Sequence, residues 1–386
     1  MIQNGRSVVK PGARITRLFA MRHLPGRRPA GSAAFVQTWS TMSLGAEIHE
    51  QAAAARRQLG EGPRSIAAIA AAVRSRDVDT VVIAARGTSD HAAIYAQYAF
   101  GIRHRLTVAL AAPSILSAYG VEPHFERSLV IGISQSGASP DVVGVIAAAR
   151  RQGAPTIAIT NDPSSSLARA AEHLIDLRAG PELAIAATKT YTTSLLAIAR
   201  LSAAIGDDAA AAAELEAVPD ALEAALAGEP EVAAVAGDLA AVERCVVLGR
   251  GYEYATAREW ALKLKELAQV FADPYSAADF QHGPVALVEP GVPVLAIAPD
   301  GPTAAGMIEL IDVLRRDRGA EVIVLSDSAA AGSHGSRSIA LPAGVPEWLR
   351  PIVSIVPAQL FAYHLTRAKG LDPERPRYLR KVTLTR

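Results

Sequence analysis

Ser134, Gln135, Ser136 and Ser139 stand together in the stretch from Ile133 to Gly144, ISQSGASPDVVG, and a cluster of hydroxyl and amide donors this dense suits a phosphate. Gly137 lets a backbone approach a ligand closely, and apolar residues resume at helical spacing from about Pro140. The cluster therefore sits where a helix begins and presents the positive end of its dipole, which is how neutral residues hold an anion. A second cluster, RGTSDHAA, carries Thr88 and Ser89. One Ser or Thr is enough to cap a helix, so two hydroxyl clusters at adjacent strand ends exceed what capping requires.

A third set lies in REWALKLKELAQVFADPYSAADFQHGPVAL, where Glu259, Lys263 and Glu266 fall at i, i+4 and i+7 and share one helix face. By spacing alone that face reads as a solvated, salt-bridged stripe, and His282 before Gly283-Pro284 reads as an ordinary loop histidine.

Short apolar runs rich in β-branched residues must position these groups. DTVVIAA from Asp79, Leu129 to Ile133 and Thr156 to Thr160 alternate with helical periods, a pattern that predicts a parallel sheet covered on both faces. The second half repeats it with CVVLGRG from Cys245, VPVLAIAPDG from Val292 and AEVIVLSDS from Ala320. VDTVVIAARGTSDHAAIYA resembles VERCVVLGRGYEYATAREWA, and HLIDLRAGPE resembles SIALPAGVPE, so the chain reads as a duplication. The expected fold class is α/β, two tandem doubly wound parallel-sheet domains over residues 42–206 and 231–370, with a helical linker at 207–230 and a tail at 371–386. Ligands of such sheets bind beyond the carboxyl ends of the strands. The matching loops of the second half, APDGPTAAG and RGYEYATA, lack the hydroxyl clusters, so the phosphate site is expected in the first half only.

The chain has 386 residues, 50% hydrophobic, with a formal net charge of +1 and one cysteine. That length suffices for two domains with real cores. The near-neutral charge leaves no bulk electrostatic case for nucleic acid or an acidic membrane surface. A single cysteine, Cys245, makes no internal disulfide, no Cys/His cluster has zinc spacing, and no uncharged apolar run reaches the ~18 residues of a membrane span. A cytoplasmic protein without metal or cofactor is expected. Residues 1–41 differ from the rest: up to Ser40 there are seven basic residues (Lys10 and six Arg) and no Asp or Glu. They read as a disordered extension or a misassigned start, with Met42 the natural first residue; an organelle-targeting leader or a basic arm is the alternative.

Six blocks in order, GTS at 87–89, SQSGAS at 134–139, PELAIAATKTYTT at 181–193, ALKLKE at 261–266, HGP at 282–284 and PRYLRK at 376–381, carry a resemblance to the sugar isomerase (SIS) domain proteins. Most similar are the isomerase half of glucosamine-6-phosphate synthase and its free-standing deaminase relatives. The resemblance implies that Thr88, Ser89, Ser134, Gln135, Ser136 and Ser139 bind the sugar phosphate and nearby hydroxyls, with Glu182 of the third block among the substrate-binding residues. It also implies that Glu266 is the base shuttling a proton between sugar carbons one and two, and that Lys263 lies beside the open-chain substrate. Lys381 would form an imine with the ketose carbonyl, and His282 would open the ring from the neighbouring subunit of a homodimer. A carboxylate near an acidic C–H and a desolvated lysine near a carbonyl have the chemistry for these roles.

The chain departs from the synthase pattern in three places. ADFQHGP puts Asp279 and Gln281 where glutamate and lysine are usual, and Ala187 replaces a serine. A chain that starts Met1-Ile2 is expected to lack the synthase's amidotransferase domain with its amino-terminal cysteine nucleophile. The expected activity is therefore that of an amino-sugar 6-phosphate deaminase/isomerase, releasing ketose phosphate and ammonium. Another phosphosugar aldose-ketose isomerase, a deglycase and a non-catalytic phosphosugar sensor remain open as alternatives.

Overall fold

The computed structural model describes residues 43–60 and 63–381; the expectations for residues 1–41 and for a start at Met42 lie outside them. Ten strands form among these residues: β1 (Thr80–Ala84), β2 (Thr107–Leu110), β3 (Ser128–Ile133), β4 (Thr156–Thr160), β5 (His173–Asp176), β6 (Arg244–Gly249), β7 (Phe271–Ser276), β8 (Val294–Ile297), β9 (Val322–Ser326) and β10 (Arg337–Ala340). They make two five-stranded sheets, β2-β1-β3-β4-β5 and, in the same order read from the other edge, β7-β6-β8-β9-β10. Every ladder is parallel. The shared strand order is the structural counterpart of the sequence duplication.

The central strands follow from composition: β3 (SLVIGI) and β4 (TIAIT) are buried along their whole length, as strands covered on both faces must be. The edge strands carry weaker signals. β2 is only four residues with alternate positions exposed, and β7 reads FADPYS, with Pro274 tolerated because an edge strand has one unpaired side.

From β1 the chain crosses to β2 through the helix Thr88–His104, and from β3 it crosses to β4, on the other side, through the helix Pro140–Arg151. The two helices cover opposite sheet faces, the first sharing a core with Val81, Ile83 and Ile131, the second with Ala84, Val130 and Ala158. The strand order thus reverses between β1 and β3. That is the point at which doubly wound sheets leave a crevice beyond their strand ends.

The halves are joined by packing as well as by chain. Helices Thr88–His104, Lys189–Ile205, Glu253–Glu266 and Arg350–Ala368 pack on one another, and one apolar cluster runs continuously from Ile131 to Leu295 through them. Trp260 meets Phe361 edge-on, with ring centroids 5.2 Å apart, and the Tyr95 hydroxyl donates to the Trp348 carbonyl at 2.7 Å. Between the sheets the chain forms helices Ala209–Glu216, Val218–Ala227 and Glu229–Asp238, the first capped by the Asp208 side chain, which accepts from the Ala211 amide. Helices Leu44–His49, Gln51–Leu59 and Pro63–Arg74 precede β1.

Candidate active site

A cavity of about 330 Å³ opens beyond the carboxyl ends of β1 and β3. Its wall contains both hydroxyl clusters, Thr88 and Ser89 from the first loop and Ser134, Gln135, Ser136 and Ser139 from the second, together with Glu266 and Lys381. Eight of the eleven residues singled out in the sequence therefore converge on one space; Lys263, Glu182 and His282 do not line it.

The hydroxyls are not consumed by capping. Ser139 occupies the N-cap of the helix Pro140–Arg151 and Gly87 that of Thr88–His104, yet neither helix has a side-chain cap bond. Ser136 Oγ accepts weakly from the Ala138 amide at 3.3 Å, and Thr88 Oγ1 donates to Glu259 at 3.1 Å. Gly137 sets the shape of the second loop. Its φ is +59°, and a Cβ there would sit 2.1 Å from Ser165 Oγ, so backbone conformation and space both demand glycine.

The Glu259, Lys263 and Glu266 face is not the solvated stripe that spacing alone predicts. Glu259 is 0% and Lys263 1% exposed, because this helix packs against Thr88–His104. Lys263 Nζ lies 2.5 Å from Glu266 Oε2, 3.3 Å from Glu259 Oε1 and 3.4 Å from Thr88 Oγ1. His91, to which the sequence pattern assigns no role, closes the network from the far side, its Nδ1 2.7 Å from Glu259 Oε2. Burial by itself would push the lysine down, but the two carboxylates outweigh it and hold Lys263 above its ordinary value. Lys263 is thus a fixed cation that orients Glu266 at the cavity wall.

Lys381 arrives on the carboxyl-terminal tail, which is anchored where Glu374 accepts from the Leu44 amide at 2.9 Å, at the start of the helix Leu44–His49. Its Nζ donates to Glu182 at 3.0 Å and to the Ala184 carbonyl at 2.6 Å. Glu182 is buried, and its carboxylate also accepts from the Thr188 and Thr190 amides and the Thr190 hydroxyl. Burial raises its proton affinity, but Lys381 and these donors more than reverse that, holding the carboxyl below its usual range. Glu182 therefore holds Lys381 rather than walling the cavity. His282 is exposed on the turn after the helix Ala277–Phe280.

Other wall residues escaped the sequence reading. Thr190 and Ser194 share a face of the helix Lys189–Ile205 by their i, i+4 spacing, and Tyr191, Arg86 and Arg380 complete the list of polar groups. Arg86 belongs to the RGTS cluster, and Thr190 and Tyr191 to PELAIAATKTYTT, so the signal is present in sequence and their side-chain directions are not. Ala187 also lines the wall. Cys245 is buried in β6 with its thiol pushed up to about 12 by desolvation, an inert core residue.

At the corresponding place on the second sheet the space shrinks to about 10 Å³ among Arg250, Tyr252, Glu253, Asp300, Thr303 and Arg350. A cavity of about 360 Å³ elsewhere, walled mainly by residues such as Leu59, Ile66, Ala67 and Ala203, contains none of the motif residues, so size does not make it the site. Among the described residues no group of three or more His, Cys, Asp or Glu is placed to hold a metal ion, and no helix is long and apolar enough to cross a membrane.

Two parallel sheets of identical order, with a hydroxyl-lined cavity at the switch point of the first, define a duplicated, doubly wound α/β architecture. The SIS domain family matches residues 76–204 and 238–368, and the chain belongs to it. It is 37% identical over 342 residues to the isomerizing glutamine–fructose-6-phosphate aminotransferase of Methanothermobacter thermautotrophicus, a match covering 87% of this chain and 56% of that protein. The chain thus spans little more than half the length of that relative. A solved protein from Silicibacter pomeroyi DSS-3, described as a phosphosugar isomerase, is similar with a TM-score of 0.77 and 37% identity over 86% of this chain and 99% of its own. The C-terminal domain of glucosamine-fructose-6-phosphate aminotransferase from Francisella tularensis is similar with a TM-score of 0.77 and 26% identity, covering 86% of this chain and 97% of that one.

Proposed function

We propose that the cavity is the active site of a phosphosugar isomerase, and more finely of an amino-sugar 6-phosphate deaminase/isomerase. The observation that carries the reading is that Glu266, fixed by Lys263, lines the same 330 Å³ cavity as the two hydroxyl clusters. The Ser134–Ser139 loop and the helix behind it take the phosphate, and Thr88 and Ser89 take neighbouring oxygens. Glu266 removes the proton from carbon two of the open-chain aldose and returns it to carbon one, leaving an imine at carbon two. Water adds there and ammonia leaves, giving the ketose phosphate. Lys263 balances the charge on Glu266 and on the enediol-like intermediate. Lys381, paired with Glu182 at 3.0 Å, stands at the cavity wall beside the sugar; the imine expected of it requires that pair to open first. His282 opens the ring from a second copy of the chain, in a homodimer.

A deglycase, acting on a phosphosugar joined to an amino acid, is the second reading. Arg380 favours it, since this residue lines the cavity, its guanidinium has no partner among the described residues, and a guanidinium suits a carboxylate. Incubation with a panel of amino-sugar 6-phosphates and sugar-amino acid 6-phosphates, with ammonium, amino acid and ketose phosphate measured, separates the readings. Ammonium with ketose phosphate is the expected product of the amino sugars. Glu266→Gln, which keeps shape but loses the proton acceptor, is expected to lower kcat by roughly 10²–10⁴ with little change in KM. An active Gln variant overturns the role of Glu266, and turnover of no phosphosugar overturns the reading.

A further inference from the structure

We infer that Arg86 is a specific ligand of the substrate phosphate, held in place by Asp141. The inference rests on the cavity's being a phosphosugar site. Arg86 lies in the loop at 85–87 that follows β1, and its Nε donates to Asp141 Oδ2 at 2.8 Å. That bond uses one edge of the guanidinium. The two Nη groups have no partner among the described residues, while the side chain lines the cavity and is 45% exposed. A purely structural ion pair would gain nothing from leaving half of its arginine open to the space that the hydroxyl loops surround.

Asp141 makes the need for that charge concrete. It lies in the first turn of the helix Pro140–Arg151, its side chain is 2% exposed, and its Oδ1 accepts from the Val142 amide. A carboxylate there already satisfies the helix dipole that a phosphate at Ser134–Ser139 would use, and it repels a second anion. An uncompensated Asp141 would weaken the site. Arg86 cancels that charge through Nε and keeps its remaining donors in a fork suited to phosphate oxygens. The rest of the Ser134–Ser139 cluster contributes neutral hydroxyls, an amide and backbone, so Arg86 is the cation tied to that loop's helix, while Arg380 and Lys381 reach the wall from the carboxyl-terminal tail. Arg250 holds the matching position in the second half, against the space of about 10 Å³, where there is no room for such a ligand.

The test is calorimetric binding of inorganic phosphate by the full-length protein, which needs no turnover. Arg86→Gln is expected to weaken phosphate at least tenfold and to raise KM for a phosphosugar with kcat largely kept; Arg86→Lys, which keeps charge but loses the fork, is expected between the two. Asp141→Asn separates ligand from staple. Asparagine keeps a side-chain oxygen that can accept from Arg86 Nε, so the arginine stays placed while the competing charge is gone: if Arg86 binds phosphate, affinity is unchanged or tighter; if the charged pair only ties two loops together, Asp141→Asn weakens phosphate as much as Arg86→Gln. The latter result, or unchanged affinity in Arg86→Gln, overturns the assignment. Should Arg86→Gln fail to fold, Arg86→Lys and Asp141→Asn carry the same decision. Wild-type protein that binds no phosphate overturns the phosphosugar reading itself, whereas phosphate binding without turnover overturns only the catalytic part.

Discussion

At position 253 the second half has a glutamate where the aligned first half has Ser89, and the two side chains meet opposite fates. Ser89 lines an open cavity; Glu253 is 3% exposed, and only one of its oxygens is engaged, accepting from Thr256 at 2.5 Å and Ser354 at 2.7 Å. Its other oxygen has no partner. Burial pushes the carboxyl up to about 7 from an ordinary 4.5, against the pull of those hydroxyls and of Arg350. Between these pH values the folded protein keeps a proton that the unfolded chain has released. Its contribution to stability is therefore best below pH 4.5 and declines as pH rises through 7, by on the order of 3 kcal/mol for a shift of that size. Glu253→Gln imitates the protonated acid in shape and hydrogen bonding. Thermal melts at pH 5 and pH 8 should show the wild type losing more stability across that interval than the variant. Parallel losses would mean that Glu253 is charged and satisfied in the fold.

At the scale of elements, the loop between β3 and its helix works only with glycine at 137. Alanine there would adopt a left-handed backbone costing roughly 1–2 kcal/mol and would drive a methyl into Ser165, the N-cap of the helix Ser166–Ala170. Because Gly137 also accepts from the Leu167 amide at 3.0 Å, the strain passes into both loops. Gly137→Ala should lower the melting temperature and weaken phosphate together; a stable variant with intact phosphate affinity would show that the loop yields without moving its donors. This loop was readable in the sequence because its chemistry and its backbone requirement sit in six consecutive residues, and the central strands were readable because burial on both faces forces apolar β-branched runs. The edge strands β2 and β7 were not, since half-exposed or Pro-containing strands look like loops. The Glu259, Lys263 and Glu266 face was legible in spacing but not in environment: the same spacing serves a wet stripe or a buried relay. Only the packing of Thr88–His104 against it decides, and that contact joins residues more than 160 positions apart. His91 was missed for the same reason, and Arg86 because its pairing with Asp141, 55 positions away, does not show in the spacing.

Across the whole molecule, the two copies of one fold have divided the work. The first sheet keeps the hydroxyl loops and the cavity; the second closes its own and sends Glu266 across the shared core to the first. The proposed ring-opening histidine is the catalytic group that neither lines the cavity nor contacts a residue that does. His282 is exposed on the second half and does not line the cavity of its own chain. If it serves catalysis from a second copy, each site of a homodimer is composite, and the arrangement has a consequence that a monomeric site lacks. A Ser134→Ala/Ser136→Ala double variant cannot hold phosphate, and His282→Ala cannot open the ring, so each homodimer should be inactive. Heterodimers formed by subunit exchange then carry one site with both defects and one with neither. Activity should reappear on mixing and approach a quarter of wild type at equal proportions, because random exchange makes about half the dimers mixed and half of their sites intact. Mixed dimers verified by mass, yet silent, would mean that each chain supplies its own histidine or that His282 has no part in the reaction; activity already present in the His282→Ala parent would remove it from the mechanism directly.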